Sequence, residues 1–218
     1  MRNRVAASFI YTLDSAEPIV NGYVEYDDDG TILETGPCED PESEQVFYRN
    51  GAIVPGFVTA HCHVELSHLH RKFRTGTGMA GFIDQINALR DWAGRDVKQV
   101  LVKEWMDKMW ADGVSAMADI SNDDSSFDVK KSHPMYTRTF LEVFGSEPHM
   151  CEGVMKDVTE LKRIADEAGI DAAPTPHSCY TMSPQLLTAS AMAGLESGYL
   201  SYHSQESQEE EDLLISGT

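Results

Sequence analysis

From about residue 51 onward, short apolar segments of strand length alternate with longer segments that have the apolar spacing of helices. Strands are predicted at 53–60, 114–120, 136–144, 170–175 and 199–203, and helices at 82–94, 97–111, 158–168 and 184–195. Alternation of this kind is typical of a parallel sheet built from βα units. The chain is therefore predicted to be an α/β protein.

The segment before this alternation has a different pattern. Residues 5–50 contain short strand-like runs, and the runs 22–26 and 31–34 flank the turn signal Asp27-Asp28-Asp29-Gly30, which predicts a hairpin. We expect a small N-terminal β-sandwich domain over residues 1–52 and a second domain over residues 53–218. Because a (β/α)8 TIM-type barrel takes roughly 250 residues, the second domain is expected to hold only about the first five strands of such a barrel.

The composition limits the class of partner. With 41% hydrophobic and 24% charged residues, the chain has the composition of an ordinary globular protein. Its net charge of -19 disfavours nucleic acid and anionic membranes as partners, so a small neutral or cationic molecule is expected instead. No apolar stretch reaches the roughly 18 to 20 residues of a membrane span, and no signal-peptide core is visible, which predicts a cytoplasmic location. The four cysteines are far apart and are expected to be reduced.

The first predicted strand ends in a pair of histidines. The run 52–60 carries no charge and leads directly into His61-Cys62-His63. Residues i and i+2 of a strand share a face, so His61 and His63 can reach one ion. Imidazole nitrogen suits Zn(II) and Fe(II), and two rings supply half of a four-coordinate shell. Two surface histidines in a polar loop are the alternative interpretation.

Polar residues also follow two later predicted strands. His177 comes directly after the strand at 170–175, and His203 ends the strand at 199–203, with Glu206 three residues further along. Barrel enzymes place their sites at the carboxyl ends of their strands, so these side chains are expected to converge with His61 and His63. Taken singly, His177 could be an ordinary loop histidine, and Glu206 could serve only to open the helix predicted from the acidic run 206–212.

Three segments of the chain resemble the amidohydrolase superfamily: Pro55-Gly56-Phe57-Val58-Thr59-Ala60-His61-Cys62-His63, Pro176-His177-Ser178-Cys179-Tyr180 and His203-Ser204-Gln205-Glu206. More narrowly, they are similar to its branch of cytosine deaminases, adenosylhomocysteine deaminases and chlorohydrolases. The likeness runs through essentially the whole chain, including the small β domain that precedes the barrel.

The resemblance implies a role for each of these residues. His61, His63 and His203 would bind one divalent metal ion, with zinc as the first choice and iron as the alternative, and His177 would contact the substrate. Glu206 would be the catalytic general acid/base for a water that the metal activates, a kind of proton transfer typically worth about 100- to 10,000-fold. The segment 170–175 lacks the lysine that bridges two metals in related cyclic-amide hydrolases, which favours a single ion.

These roles predict a hydrolase that removes an amino group, or a halide, from an aromatic nitrogen heterocycle of the purine or pyrimidine kind. Hydrolysis of a cyclic amide or another C–N bond is the alternative within the enzymes. The family's sixth-strand histidine and eighth-strand aspartate have no counterpart in the sequence, so a third hypothesis is a non-catalytic barrel fragment that acts in binding or assembly. A half-built barrel would expose a strand edge, which predicts a homo-oligomer.

The other histidines are given lesser roles. His68 and His70 are interpreted as loop residues that line or cover the pocket. His133 and His149 lack the context of a strand end and are expected to have no specific function.

Overall fold

The computed structural model describes residues 1–39 and 47–217. The chain forms two compact units, Met1–Gly56 and Phe57–Thr218. Residues 40–46, which the sequence assigns to the N-terminal β domain, lie outside the described residues, as does residue 218.

The first unit contains one four-stranded sheet. Its strands are β1 (Arg2–Ile10), β2 (Ile19–Asp27), β3 (Ile32–Pro37) and β4 (Phe47–Ile53), in the order β3-β2-β1-β4. The predicted hairpin joins β2 to β3, and the Asp27 carboxylate closes its turn by accepting the backbone N–H groups of Asp29 and Thr31. The expected β-sandwich is not seen among the described residues, because each strand finds its partners in this single sheet and none is left for a second layer.

The second unit is built on a four-stranded parallel sheet. Its strands are β5 (Phe57–Cys62), β6 (Val114–Ser121), β7 (Tyr136–Val143) and β8 (Ala172–Pro176), in the order β5-β6-β7-β8. The helices are α1 (Gly78–Leu89), α2 (Arg95–Ala111), α3 (Phe127–Ser132), α4 (Cys151–Ala168), α5 (Pro184–Leu195) and α6 (Gln208–Ser216), with 3-10 helices at Val64–Leu69 and Pro148–Met150. The predicted α/β class with a parallel sheet is confirmed.

Two apolar clusters hold the helices against this sheet. Val102 and Met106 of α2 pack with Met117 of β6, and all three side chains are fully buried. Val158 of α4 and Leu186 of α5 belong to a second buried cluster, which also includes side chains of β7. Full burial of a side chain of this size is worth about 1.5–3 kcal/mol, so these contacts fix the strands whose ends carry the site. Among the described residues, no helix is long and apolar enough to cross a bilayer.

The strand predicted at 53–60 is divided between two elements. Ile53 ends β4, and β5 does not begin until Phe57. Pro55 explains the break, because it has no backbone N–H to donate to a ladder and it restricts the residue before it. The shift moves the strand forward, so that His61 and Cys62 become its last two residues.

The prediction of a fifth strand at 199–203 is wrong. This segment lies beside β8 but makes only an isolated bridge, between Ser178 and His203. In β8, the backbone groups of alternate residues point towards β7. Pro174 and Pro176 lie at the positions in between, which point towards the segment 199–203, and proline has no N–H to donate there. The hydroxyl of Thr175 takes over part of that role, because it accepts the N–H of Ser201 at 2.9 Å and donates to the Ser201 carbonyl.

Candidate metal centre

The carboxyl end of β5 presents two imidazoles to one side. His61 and His63 alternate with Cys62, which points the other way and packs against the cluster around Met117. The Nε2 atoms of His61 and His63 lie 3.1 Å apart. The chain then enters the 3-10 helix at Val64, so the two rings stand where the strand runs out.

His203 comes to the same place from the segment that follows α5. Its backbone N–H donates to the carbonyl of His177 at 2.7 Å, which pins the segment beside the end of β8. The ring centroids of His203 and His61 are 4.7 Å apart, and one ring nitrogen from each of His61, His63 and His203 lies within 4.8 Å of the others.

This donor set fits a divalent cation. Two nitrogens bound to one tetrahedral zinc at about 2.0–2.1 Å stand roughly 3.3 Å apart, close to the Nε2 separation of His61 and His63. Burial lowers the pKa of His61 and lowers that of His63 to about 4, so both rings are neutral at neutral pH, which is the form that binds metal. The Nδ1 atom of His63 is buried without a hydrogen-bond partner in the described part of the chain, so protein contacts do not satisfy this nitrogen.

Glu206 lies against this cluster. Its Oε1 atom is 3.1 Å from Nδ1 of His203, and its Oε2 atom accepts the Tyr180 hydroxyl at 2.7 Å. Gln205 has a φ of 60°, in the left-handed region, and the backbone N–H of Glu206 then donates to Glu210 at 2.7 Å. This tight turn before α6 directs the Glu206 carboxylate back towards the histidines, although 27% of the side chain stays exposed.

His177 stands beside His203 with a centroid separation of 4.9 Å. Its Nδ1 atom contacts the hydroxyls of Ser178 and Thr181 at 2.9 and 2.8 Å, which leaves Nε2 for any further partner. Burial lowers the pKa of His177, so the ring is neutral at neutral pH. The structure therefore brings all five candidate residues of the sequence into one cluster.

Glu142 also belongs to this cluster, and the sequence interpretation missed it. Its side chain is 6% exposed, and its Oε1 atom lies 3.8 Å from Nε2 of His203. Burial raises the pKa of Glu142 to about 7. One ligand atom from each of Glu142, His177 and His203 lies within 4.8 Å of the others. A single acidic residue near the carboxyl end of the apolar segment 136–144 was the signal that could have revealed it.

His68 does not line the pocket as expected. It is buried, and its Nδ1 and Nε2 atoms lie 3.1 and 2.8 Å from the backbone carbonyls of Glu65 and Arg90. The ring therefore joins the 3-10 helix to the end of α1. His70 packs against Trp105, at a centroid distance of 4.6 Å.

Comparison with known proteins gives a consistent picture. No protein-family model matches the chain. An adenosine deaminase of Helicobacter pylori (strain ATCC 700392 / 26695) is 24% identical over 221 residues, which cover 96% of this chain and 52% of that protein. The solved structure of Helicobacter pylori aminofutalosine deaminase in complex with methylthio-coformycin superposes with a TM-score of 0.80 at 21% identity, covering 99% of this chain and 54% of that one.

An adenosine deaminase from Xanthomonas campestris, solved with bound zinc, superposes with a TM-score of 0.69 at 16% identity and covers 99% of this chain and 52% of its own. The resemblance to the amidohydrolase superfamily is thereby confirmed. The chain spans about half the length of the proteins that it matches.

Proposed function

We propose that this chain provides the metal-binding half of a metal-dependent hydrolase that deaminates an aromatic nitrogen heterocycle of the purine or pyrimidine kind. The convergence of His61, His63 and His203 next to Glu206 carries the proposal, because imidazole ligands for a metal ion and an adjacent carboxylate are what hydrolytic deamination needs. The similar proteins named deaminases support the reaction class.

The proposed scaffold is the first part of a (β/α)8 barrel preceded by a small β domain, with the domains at residues 1–52 and 53–218. The four parallel strands in sequential order support it, since barrel strands follow one another in this way. The segment 199–203 would take the position of the fifth strand, and its hydrogen bonds to Thr175 and His177, beside β8, support this proposal.

His61, His63 and His203 would hold one divalent cation, and the zinc in the Xanthomonas campestris structure supports zinc over iron. When bound, such a cation supplies hydroxide at neutral pH, because it lowers the pKa of water from 15.7 to about 7. The protein side chains have to place the substrate and move the protons. His177 is proposed to contact the substrate through Nε2, since the hydroxyls of Ser178 and Thr181 already contact Nδ1.

Glu206 is the proposed general acid/base. Its carboxylate would take a proton from the attacking water and return it to a ring nitrogen or to the departing amine, which leaves as ammonia. The Tyr180 hydroxyl and Nδ1 of His203 each contact one of its two oxygens, which favours the position of the carboxylate beside the histidines.

The proposed partner is a small heterocyclic molecule, and we also propose that the protein self-associates. Val58 of β5 and Tyr136 of β7 are 66% and 55% exposed, and with Tyr199 they line an open apolar cavity of about 270 Å³ on the sheet. Apolar surface of this kind favours association.

A second candidate is hydrolysis of a cyclic amide with two bound ions. The specific observation that favours it is the second donor set of Glu142, His177 and His203. The two candidates share His203 and differ in stoichiometry, so metal content distinguishes them.

The test is elemental mass spectrometry on the chain purified without chelator or histidine tag. We expect about one equivalent of zinc, lost in His203→Ala and kept in a control, His149→Ala, which alters an exposed histidine in the 3-10 helix before α4. Release of ammonia from a panel of aminated purines and pyrimidines then tests the reaction. Two equivalents would favour the cyclic-amide alternative, and no metal would favour a non-catalytic fragment.

A further inference from the structure

A buried ion pair lies behind the histidines and takes no part in the proposed chemistry. Nζ of Lys130, on α3, is 2.6 Å from Oδ2 of Asp119, on β6, and the two side chains are 1% and 0% exposed. Lys130 also donates to the hydroxyls of Ser121 and Thr139 at 2.9 and 3.2 Å. Burying such a pair usually gives no more stability than apolar side chains of the same volume, so its position invites another explanation.

The second oxygen of Asp119 reaches the turn that carries His63. Oδ1 accepts the backbone N–H of Val64 at 2.7 Å, and Val64 directly follows His63. His63 is the N-cap of the 3-10 helix but makes no capping hydrogen bond with its own side chain. Asp119 therefore supplies the acceptor that this helix start needs, and it does so at the residue next to the proposed ligand.

Glu65 makes a second hydrogen bond between the 3-10 helix and β6, and here the acceptor lies on the helix and the donor follows the strand. It belongs to the 3-10 helix and is buried, and its Oε2 atom accepts the backbone N–H of Asn122 at 2.9 Å, just after β6. Asn122 in turn donates to the Glu142 backbone carbonyl at 3.2 Å, and Glu142 lies beside His203. Two buried acidic side chains thus tie the turn after His63 to β6 and, through Asn122, to β7.

We propose that Asp119 and Glu65 are positioning residues for the metal centre, which fix the direction of the His63 ring by holding the backbone on its carboxyl side. The inference rests on the proposed function, because it assumes that His63 binds a cation. Removing a residue that orients a metal ligand without touching the metal typically lowers the metal affinity by about 10- to 100-fold.

Two double variants isolate the hydrogen bond from the ion pair. Asp119→Leu with Lys130→Met removes both charges and the acceptor for the Val64 N–H, whereas Asp119→Asn with Lys130→Met removes both charges and keeps an acceptor. Because neither leaves a charge unpaired, both are expected to fold, and thermal unfolding checks that they do. We expect the leucine variant to bind zinc about 10- to 100-fold more weakly than the asparagine variant.

Zinc affinity is measured on the full chain by competition with a chromophoric chelator, and Co(II) absorption spectra report the ligand geometry. A purely structural role would leave the Co(II) spectrum of the folded leucine variant unchanged, whereas a displaced His63 alters it. The control is Asp171→Asn, which changes an ion pair at the other end of the sheet, before β8. Glu65→Met against Glu65→Gln repeats the comparison for the second link.

Each outcome has one meaning. Equal zinc affinities and Co(II) spectra in the two double variants, with a parent chain that binds one equivalent, would overturn this inference and leave the metal centre standing. A parent chain that binds no zinc or Co(II) would overturn the metal centre and the inference together.

Discussion

The two ends of the sheet β5–β8 each carry an aspartate paired with a buried basic residue, and the two aspartates differ in their exposure. At the carboxyl end, Asp119 and Lys130 are closed off from solvent. At the amino end, the buried Arg138 pairs with Asp171, which is 41% exposed and also accepts the hydroxyl of Tyr136. The carboxylate of Asp119 is enclosed by protein groups, whereas that of Asp171 is partly exposed to solvent.

The carboxyl end also holds buried ionisable groups whose pKa values are shifted from their ordinary range. At the carboxyl end, burial lowers the pKa of His63 to about 4 and raises that of Glu142 to about 7. Perturbed groups that cluster in this way are typical of functional sites, and in the proposed barrel the chemistry would lie at this end and residues that serve stability at the other. The amino-end pair is an ordinary stabilising contact by the same reasoning.

The largest expected effect is at Glu206. Glu206→Gln keeps the shape of the side chain but cannot take up a proton, so turnover of an aminated heterocycle should fall about 100- to 10,000-fold while zinc content is unchanged. Glu211→Gln, on the exposed face of α6, is the matched control and should keep full turnover. A metal-free Glu206→Gln protein with parental activity would disprove the assignment.

The same substitution at both ends of the sheet should have unequal effects on stability. Asp119→Asn leaves Lys130 as an uncompensated buried charge, which should cost about 3–5 kcal/mol of unfolding free energy. Asp171→Asn weakens a pair whose guanidinium is buried but whose carboxylate is 41% exposed, so it should cost less, about 1–3 kcal/mol. Urea unfolding followed by tryptophan fluorescence measures both, and equal losses would mean that the two ends do not differ as the burial indicates.

Local sequence patterns were sufficient for the elements that deliver the site. The helix predicted at 184–195 is α5, and its N-cap residue Ser183 accepts the N–H of Leu186 with its hydroxyl. The alternation of His61 and His63 depends only on strand geometry, so it could be read from the spacing. Both features depend only on residues that are close together in the sequence, so the sequence was sufficient to predict them.

Long-range contacts decided what the sequence could not show. The segment 199–203 has the composition of a strand, but the prolines of β8 remove the donors that would complete its ladder. Lys130 lies in the six-residue helix α3, which has too few residues to show a helical pattern, and its pairing with Asp119 depends on how that helix packs. Glu142 meets His203 only once the sheet has formed.

The smallest expected effect concerns Tyr136 at the amino end. Its hydrogen bond to Asp171, followed by burial, raises the pKa of Tyr136 to about 12. A raised pKa means that this contact contributes stability below the ordinary tyrosine pKa of about 10 and loses it as the pH rises through about 12. Asp171→Asn should therefore bring the pKa of Tyr136 down towards 10, which NMR of ring-labelled tyrosine can follow. Tyr180, whose pKa burial and Glu206 raise to about 12 at the other end, serves as an internal control. If both tyrosines shifted together, the two ends of the sheet would be electrostatically coupled and their separation into a stabilising end and a functional end would fail.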